Sequence, residues 1–293
     1  MAILTWDNVG ERLYETGVNK GVLYLATGGI YDSGYAWNGL TAVTESPSGA
    51  EASAQYADNI KYLSLISAEE FGATIEAFTY PKEFAQCDGT ATPQVGVSVG
   101  QQSRRSFGLS FQTRLGNDIA ASDYGYKIHL IYGATAAPTE KAYATINDSP
   151  EAITFSWEVT TVPATVTGLK PAAVLTIDST KVLAANLKSL EDTLYGTAGT
   201  SPRLPLPDEV IAIFAGSQTA VTATAPTGTT AGVITIPTVT GVTYRRGDTN
   251  AIVTGSVTIP TIGQSLVIRA TPATGAYVLA ANSDDDWSFT KTV

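Results

Sequence analysis

Hydrophobic residues in this chain recur mostly at every second position, in short runs divided by Gly, Pro, Asn and Ser. That is the pattern of strands with one buried face. It is cleanest from Ser103 to Arg114, where Phe107, Leu109, Phe111 and Thr113 share one side and Ser106, Gly108, Ser110, Gln112 and Arg114 the other. One face is read as buried and the other as wet. Phe71, Ala73, Ile75 and Ala77 alternate with Thr74 and Glu76; with Ile60 to Ile66 they predict a β-hairpin joined through Ser67-Ala68-Glu69-Glu70 and ended by Pro81. Gly21 to Thr27, Tyr126 to Gly133, Ala152 to Val162, Ala173 to Ile177 and Glu209 to Ala215 are further predicted strands. The period changes once: Leu183, Leu187, Leu190 and Leu194 make one apolar stripe, predicting a helix within Asp178 to Gly196, capped by Asp178 or Ser179 and stopped by Gly196. Burying that stripe requires a sheet beneath it. Lys82 to Gln102, punctuated by Gly and Pro, reads as a long irregular connection suited to contacts between subunits.

Composition shifts at Gly216. Beyond it Glu disappears, Thr, Val, Ala and Gly dominate, and turn signals come every 8 to 12 residues or so, the spacing of a β-sandwich of at most seven strands. The expectation is two domains, 1–216 and 217–293. The net charge of −10 belongs to the first, which holds 23 Asp and Glu against 13 Lys and Arg; the second holds 4 of each. A surface of that sign repels nucleic acid. No apolar run of about 18 residues and no basic-apolar leader pattern is present, so the expectation is a chain made in the cytoplasm without membrane insertion.

Candidate chemistry is sparse. Cys87 and His129 are each the only residue of their kind, which leaves no internal disulfide, no thiolate zinc site and little for a nucleophile–base pair. The phosphate-loop, nucleophile-elbow and HExxH patterns do not occur. Asp284-Asp285-Asp286 lacks EF-hand spacing and reads as a solvated turn. Arg104-Arg105-Ser106-Phe107 is too small a basic cluster for nucleic acid and reads as a strand end or salt-bridge partner; Asn147-Asp148-Ser149 is discounted as a glycosylation site because Pro150 follows. No enzyme and no cofactor is expected.

Three stretches in order, Trp37 to Glu51, Tyr56 to Tyr80 and Phe84-Ala85-Gln86-Cys87-Asp88-Gly89, resemble the major tail tube proteins of long non-contractile-tailed (siphovirus-type) bacteriophages. The resemblance covers about residues 1–216, and residues 217–293 look like the immunoglobulin-like domain some of these proteins append. It implies a mainly β, barrel-forming fold with one amphipathic helix. It also implies a virion protein forming hexameric rings stacked into a tube around a tape-measure protein, bounded by tail-tip and tail-terminator proteins, through which double-stranded DNA passes without specific binding. Hydrophilic positions on the two clearest strands are then the expected lumen-facing set, Glu76, Thr74, Gln112 and Ser110, with Glu76 foremost; Arg114 argues against it unless it is paired or lies outside the channel. Expected contacts between subunits or rings are Trp6, Leu13, Tyr14, Trp37, Phe84, Arg104 and Arg105. The C-terminal domain is expected to be a surface decoration, either a weak binder of a host-surface glycan or a solubilising or spacing module, and its deletion after Gly216 is expected to leave assembly intact. The alternative is a surface-displayed adhesin or glycan-binding β module.

Overall fold

A computed structural model describes residues 6–146, 148, 152–215, 219–273, 277–280 and 283–293. Gly216, Asn147, Ser149 and Gly275, on which some of the sequence readings fall, lie outside them. The structure is mainly β, 50% strand and 9% helix, so cross-strand pairing carries the fold.

The N-terminal part contains β1 (Tyr14–Thr27), β2 (Ile30–Trp37), β3 (Leu40–Glu45), β4 (Ser48–Gly49), β5 (Ala52–Ala57), β6 (Ile60–Ile66), β7 (Glu69–Glu70), β8 (Gly72–Ala77), β9 (Ala91–Gln94), β10 (Val97–Val99), β11 (Phe107–Asn117), β12 (Ala121–Ala136), β13 (Phe155–Thr161) and β14 (Val174–Asp178), then helices α1 (Ala184–Tyr195) and α2 (Pro207–Phe214). The main sheet runs β2-β1-β11-β12-β13-β8-β3, with β14 also on β12. Strand β12 serves two partners: Lys127 to Ile131 pair with β14, and Ala134 to Ala136 with β13. Gly133 marks the branch with φ +61°, and a Cβ there would sit 2.1 Å from the Val162 carbonyl oxygen, so only glycine fits. The sheet curls until Leu40 of β3 lies against Gly21 of β1.

Each side of the sheet has its own core. Inside lie Leu23, Phe107, Leu109, Phe111, Ile131, Ile75 and Trp157, together with Trp37 and with Phe84 from a 3-10 turn at Lys82–Gln86. Outside, Val22, Tyr24, Ile128, Leu130 and Tyr132 pack under Leu187, Leu190 and Leu194 of α1 and Val210 of α2. Tyr24 spans this second layer, its hydroxyl donating to the Leu194 carbonyl at 2.8 Å.

Several expectations need correction. The central hairpin is Leu40–Ala77 rather than 60–80: β6 pairs with β5, and β8 pairs with β3 and β13. Its turn is Asp58-Asn59, at φ +50° and +63°, residue types that tolerate the left-handed region a tight hairpin demands. Strand β11 is buried on both faces from Phe107 to Gln112, because α1 covers the side read as wet. Residues 209–215 are not a strand; they fall in and just after α2. Pro207 opens that helix and Asp208 and Glu209 occupy its first turn, both favourable at a positive helix end, while Val210, Ile213 and Phe214 face the outer core. α1 starts at Ala184 with no side-chain cap; Asp178 instead ends β14 and accepts from the Thr180 amide and hydroxyl. Gly196, at φ +77°, does end it. The 82–102 connection is partly ordered, by the 3-10 turn and the β9–β10 pair.

Residues 219–293 build short strands around a separate core of Ile234, Tyr244, Ile259, Leu266 and Ile268. They are β15 (Thr219–Val221), β16 (Thr227–Gly228), β17 (Val233–Ile236), β18 (Val242–Arg246), β19 (Ile252–Val253), β20 (Gly255–Thr258), β21 (Ser265–Pro272), β22 (Tyr277–Leu279) and β23 (Asp286–Thr290). That exceeds the seven expected, since several are only two or three residues long.

Candidate functional site

Two surfaces carry features that folding of this chain alone does not explain. The first is the ribbon β4–β7, which prolongs the β3–β8 hairpin beyond the body of the sheet. From Ser48 to Glu70 every residue except Ala54 is exposed. Cross-strand register places Leu63 beside Gln55, Leu65 beside Ser53 and, past a bulge at Tyr62, Ile60 beside Ala57 on one face, and Ile66 beside Ala52 with Tyr56 on the other. Both faces are therefore apolar: Leu65 is 58% and Ile66 69% exposed. An isolated two-stranded ribbon is marginal in water, and a long apolar one is an invitation to pairing. Close in character are β9–β10, with Val95, Val97 and Val99 exposed, and the N-terminal arm that precedes β1, where Trp6 is 76% exposed.

The second surface is the outer face of β3, β8 and β13. Ala73, Ile75 and Ala77 point into the core, so Thr74 and Glu76 point out; Phe155, Trp157 and Val159 do the same for Ser156, Glu158 and Thr160. Register sets Thr74 between Thr44 and Glu158, and Glu76 between Ala42 and Ser156. The outward positions on these paired strands thus hold two carboxylates, several hydroxyls and no cation. Glu158 escaped the sequence reading. The alternation around it was visible, but its pairing with a strand some 80 residues earlier was not.

The other expected site residues fall elsewhere. Ser110 and Gln112 are buried under α1, Ser110 against the Tyr24 hydroxyl and Gln112 donating to Tyr195 and Glu191, so they cannot face a channel. Arg114 is exposed on β11, three strands from β8 in sheet order. Trp37 and Phe84 are core residues with ring centroids 4.6 Å apart, not contact residues. Arg104 is spent within the chain on the Ala136 carbonyl and Asp88, and Arg105 on the Ala26 carbonyl, Gln86 and Thr27. Trp6 and Leu13 are exposed; Tyr14 covers Gly116 and keeps part of its ring in solvent.

Burial and neighbouring charges alter the acidity of Cys87, His129 and Glu15. Burial pushes the Cys87 thiol up to about 12, which keeps it protonated and unreactive. His129 stacks on Phe111 at 4.6 Å, with Nε2 2.9 Å from the Thr113 hydroxyl and Nδ1 3.4 Å from that of Thr176. Because Thr113 donates to Glu15, it accepts from His129 Nε2–H. Burial lowers the His129 pKa against the opposing pull of Glu15 and Glu45, while Lys127 adds to the lowering. Burial also acts to raise Glu15, but Lys127 and Thr113 outweigh it and the net shift is downward. Both groups bind protons more weakly in the folded chain, so both lose stability as pH falls. The His129 contribution is complete above about 6.5, its unfolded value, and fades below it. The melting temperature is expected to fall between pH 7.5 and 5.5, and to fall less in His129→Gln; equal slopes in the two proteins would remove His129 from this role.

A cleft of about 570 Å³ lies at the bulge of β1, with Asn19, Lys20, Asn38 and Tyr195 as its polar lining. Its lining holds no carboxylate, imidazole or thiol. Among the described residues no three His, Cys, Asp or Glu are placed to hold a metal ion, and no helix is long and apolar enough to cross a membrane. The chain matches no protein-family model, and no curated protein matches it.

Proposed function

We propose that this chain is a structural subunit that polymerises with itself, as stacked rings, into the hollow tail tube of a siphovirus-type virion.

 In this reading the repeating unit is a hexameric ring, the curled sheet is the barrel-forming domain, and residues 217–293 form an immunoglobulin-like sandwich on the outside. The observation that carries it is the ribbon. Its apolar residues have no cover from their own chain, and burying each Ile or Leu against a neighbour is worth about 1.5–3 kcal/mol before the costs of association. A ribbon apolar on both faces suits insertion between neighbouring copies, and repetition of that contact builds a polymer rather than a closed dimer. The tape-measure, tail-tip and tail-terminator proteins follow as partners from the same resemblance.

The cation-free outer face of β3, β8 and β13 supports the placement of a channel lining. Repeated around a ring and along a stack, Glu76 and Glu158 repel DNA at every level, whereas a few cations per ring would multiply into retention. Glu76→Lys and Glu158→Lys, alone and together, are expected to slow DNA ejection from assembled particles, with the double variant slowest. Unchanged ejection at low salt would take this face out of the channel.

The polymer itself is tested by pelleting. The concentrated full chain is expected to sediment as long particles, and so is the chain truncated after Ala215. A full chain that stays monomeric at all concentrations, even with tail-tip seeds added, would favour the adhesin reading and turn attention to glycans.

A further inference from the structure

We infer that residues 219–293 are clamped to the N-terminal arm at Gly10 and Glu11, so that the C-terminal module is held in one pose on the sheet domain rather than hanging from its connection. The clamp has three layers. On the sheet side, both backbone groups of Gly10 are tied to the β11–β12 turn: its amide donates to Asp118 Oδ1 at 2.9 Å, and its carbonyl accepts from Asn117 Nδ2 at 3.3 Å. Asn117 in turn fixes that turn by accepting from the amides of Ile119 and Ala120. On the module side, Asn250 presses on the same glycine. Gly10 has φ +88°, and a Cβ there would come 2.5 Å from Asn250 Nδ2, so the close approach depends on the missing side chain.

The third layer is an ion pair that the module cannot complete alone. Arg269 on β21 is 7% exposed and directly opposite Arg245 on β18, a like-charge pair on one sheet face. The module supplies one carboxylate, Asp286, which accepts from Arg269 Nε at 3.1 Å. The second comes from the arm: Glu11 Oε1 lies 2.5 Å from Arg269 Nη1. Without Glu11 a buried guanidinium would keep only Asp286, and its Nη2 already lacks an acceptor among the described residues. Arg245 serves the same seam by donating to the Asn250 carbonyl at 3.0 Å, which holds the turn that meets Gly10. Glu11 and Arg269 are thus joined although almost the whole chain separates them. The clamp stands whether or not the chain polymerises.

The test measures the distance between spin labels on Ala185→Cys, exposed on α1, and Ser256→Cys, exposed on β20, in full-length chain diluted with unlabelled protein. Cys87 is buried and stays unlabelled. The parent is expected to give one narrow distance distribution. Glu11→Arg, which sets a third cation beside Arg269 and Arg245, and Gly10→Val, which fills the contact with Asn250, are each expected to broaden it several-fold. Their melting temperatures serve as the check that the sheet domain remains folded. A broad distribution in the parent overturns the clamp, and so does a narrow one that both variants leave unchanged.

Discussion

Replacing residues 50–68 with an Asn-Gly dipeptide is expected to abolish polymerisation while leaving the chain folded. The cut exploits the existing register: Gly49 pairs with Glu69, so a two-residue turn can close the hairpin at that point. None of the excised residues belongs to the inner or the outer core, and the ribbon meets solvent on both sides, so the melting temperature should change little. What is lost is the apolar surface of Tyr56, Ile60, Tyr62, Leu63, Leu65 and Ile66. Sedimentation reads the outcome directly. A smaller change separates the two faces: Leu63→Glu with Leu65→Glu charges one, and Tyr56→Glu with Ile66→Glu the other. If the ribbon is gripped between copies, either pair prevents long polymers. Polymers that form as before without the ribbon would show that it is not the joint.

Trp157→Ala is expected to cost about 3–5 kcal/mol, the range for removing a large buried aromatic side chain. Trp157 is fully buried and stands at the centre of the inner core, with Phe84 at 5.0 Å, Tyr80 at 5.3 Å and Trp37 at 5.6 Å between ring centroids. The cavity would open where β13, β8 and the 3-10 turn meet, and the rigid rings around it leave little scope for collapse. Trp157→Phe makes a contrast. Among the described residues the indole Nε1 has no hydrogen-bond partner in its buried site, so the smaller ring loses some packing but also removes an unsatisfied donor. Denaturant unfolding should therefore place Phe much nearer the parent than Ala. Equal losses would mean that the site does not distinguish packing from polarity as described.

These cases show where local pattern is informative. Alternation along β8, β11 and β13 is strict enough to assign inward and outward residues from sequence, and Trp157 and Glu76 both follow from it. The leucine stripe of α1 is read equally directly, because three of its members fall on one buried line. Pairing is another matter. Ser67 to Glu70 looked like a hairpin turn because it interrupts two apolar runs, yet those residues lie in and around β7, and Asp58-Asn59 supplies the turn. The apolar run after Pro207 suits strand or helix alike, and the helix prevails because Pro, Asp and Glu stand at its start. Gln112 and Ser110 misled for a tertiary reason: polar residues on an alternating strand look solvated until a helix is laid over them and their bonds to Tyr195, Glu191 and Tyr24 appear. Trp37 and Phe84 were visible as large aromatics, but only folding reveals that they meet Trp157 rather than a neighbouring subunit. Glu158 and the Glu11–Arg269 pair depend on contacts between distant segments, which periodicity does not encode.

The most direct test of the central claim is electron microscopy of phage particles from a lysate in which the chain is made, labelled with an antibody to residues 219–293. Label spaced along the full length of the tail shaft is the predicted result. Label confined to the tail tip, or tails that carry none, would contradict it.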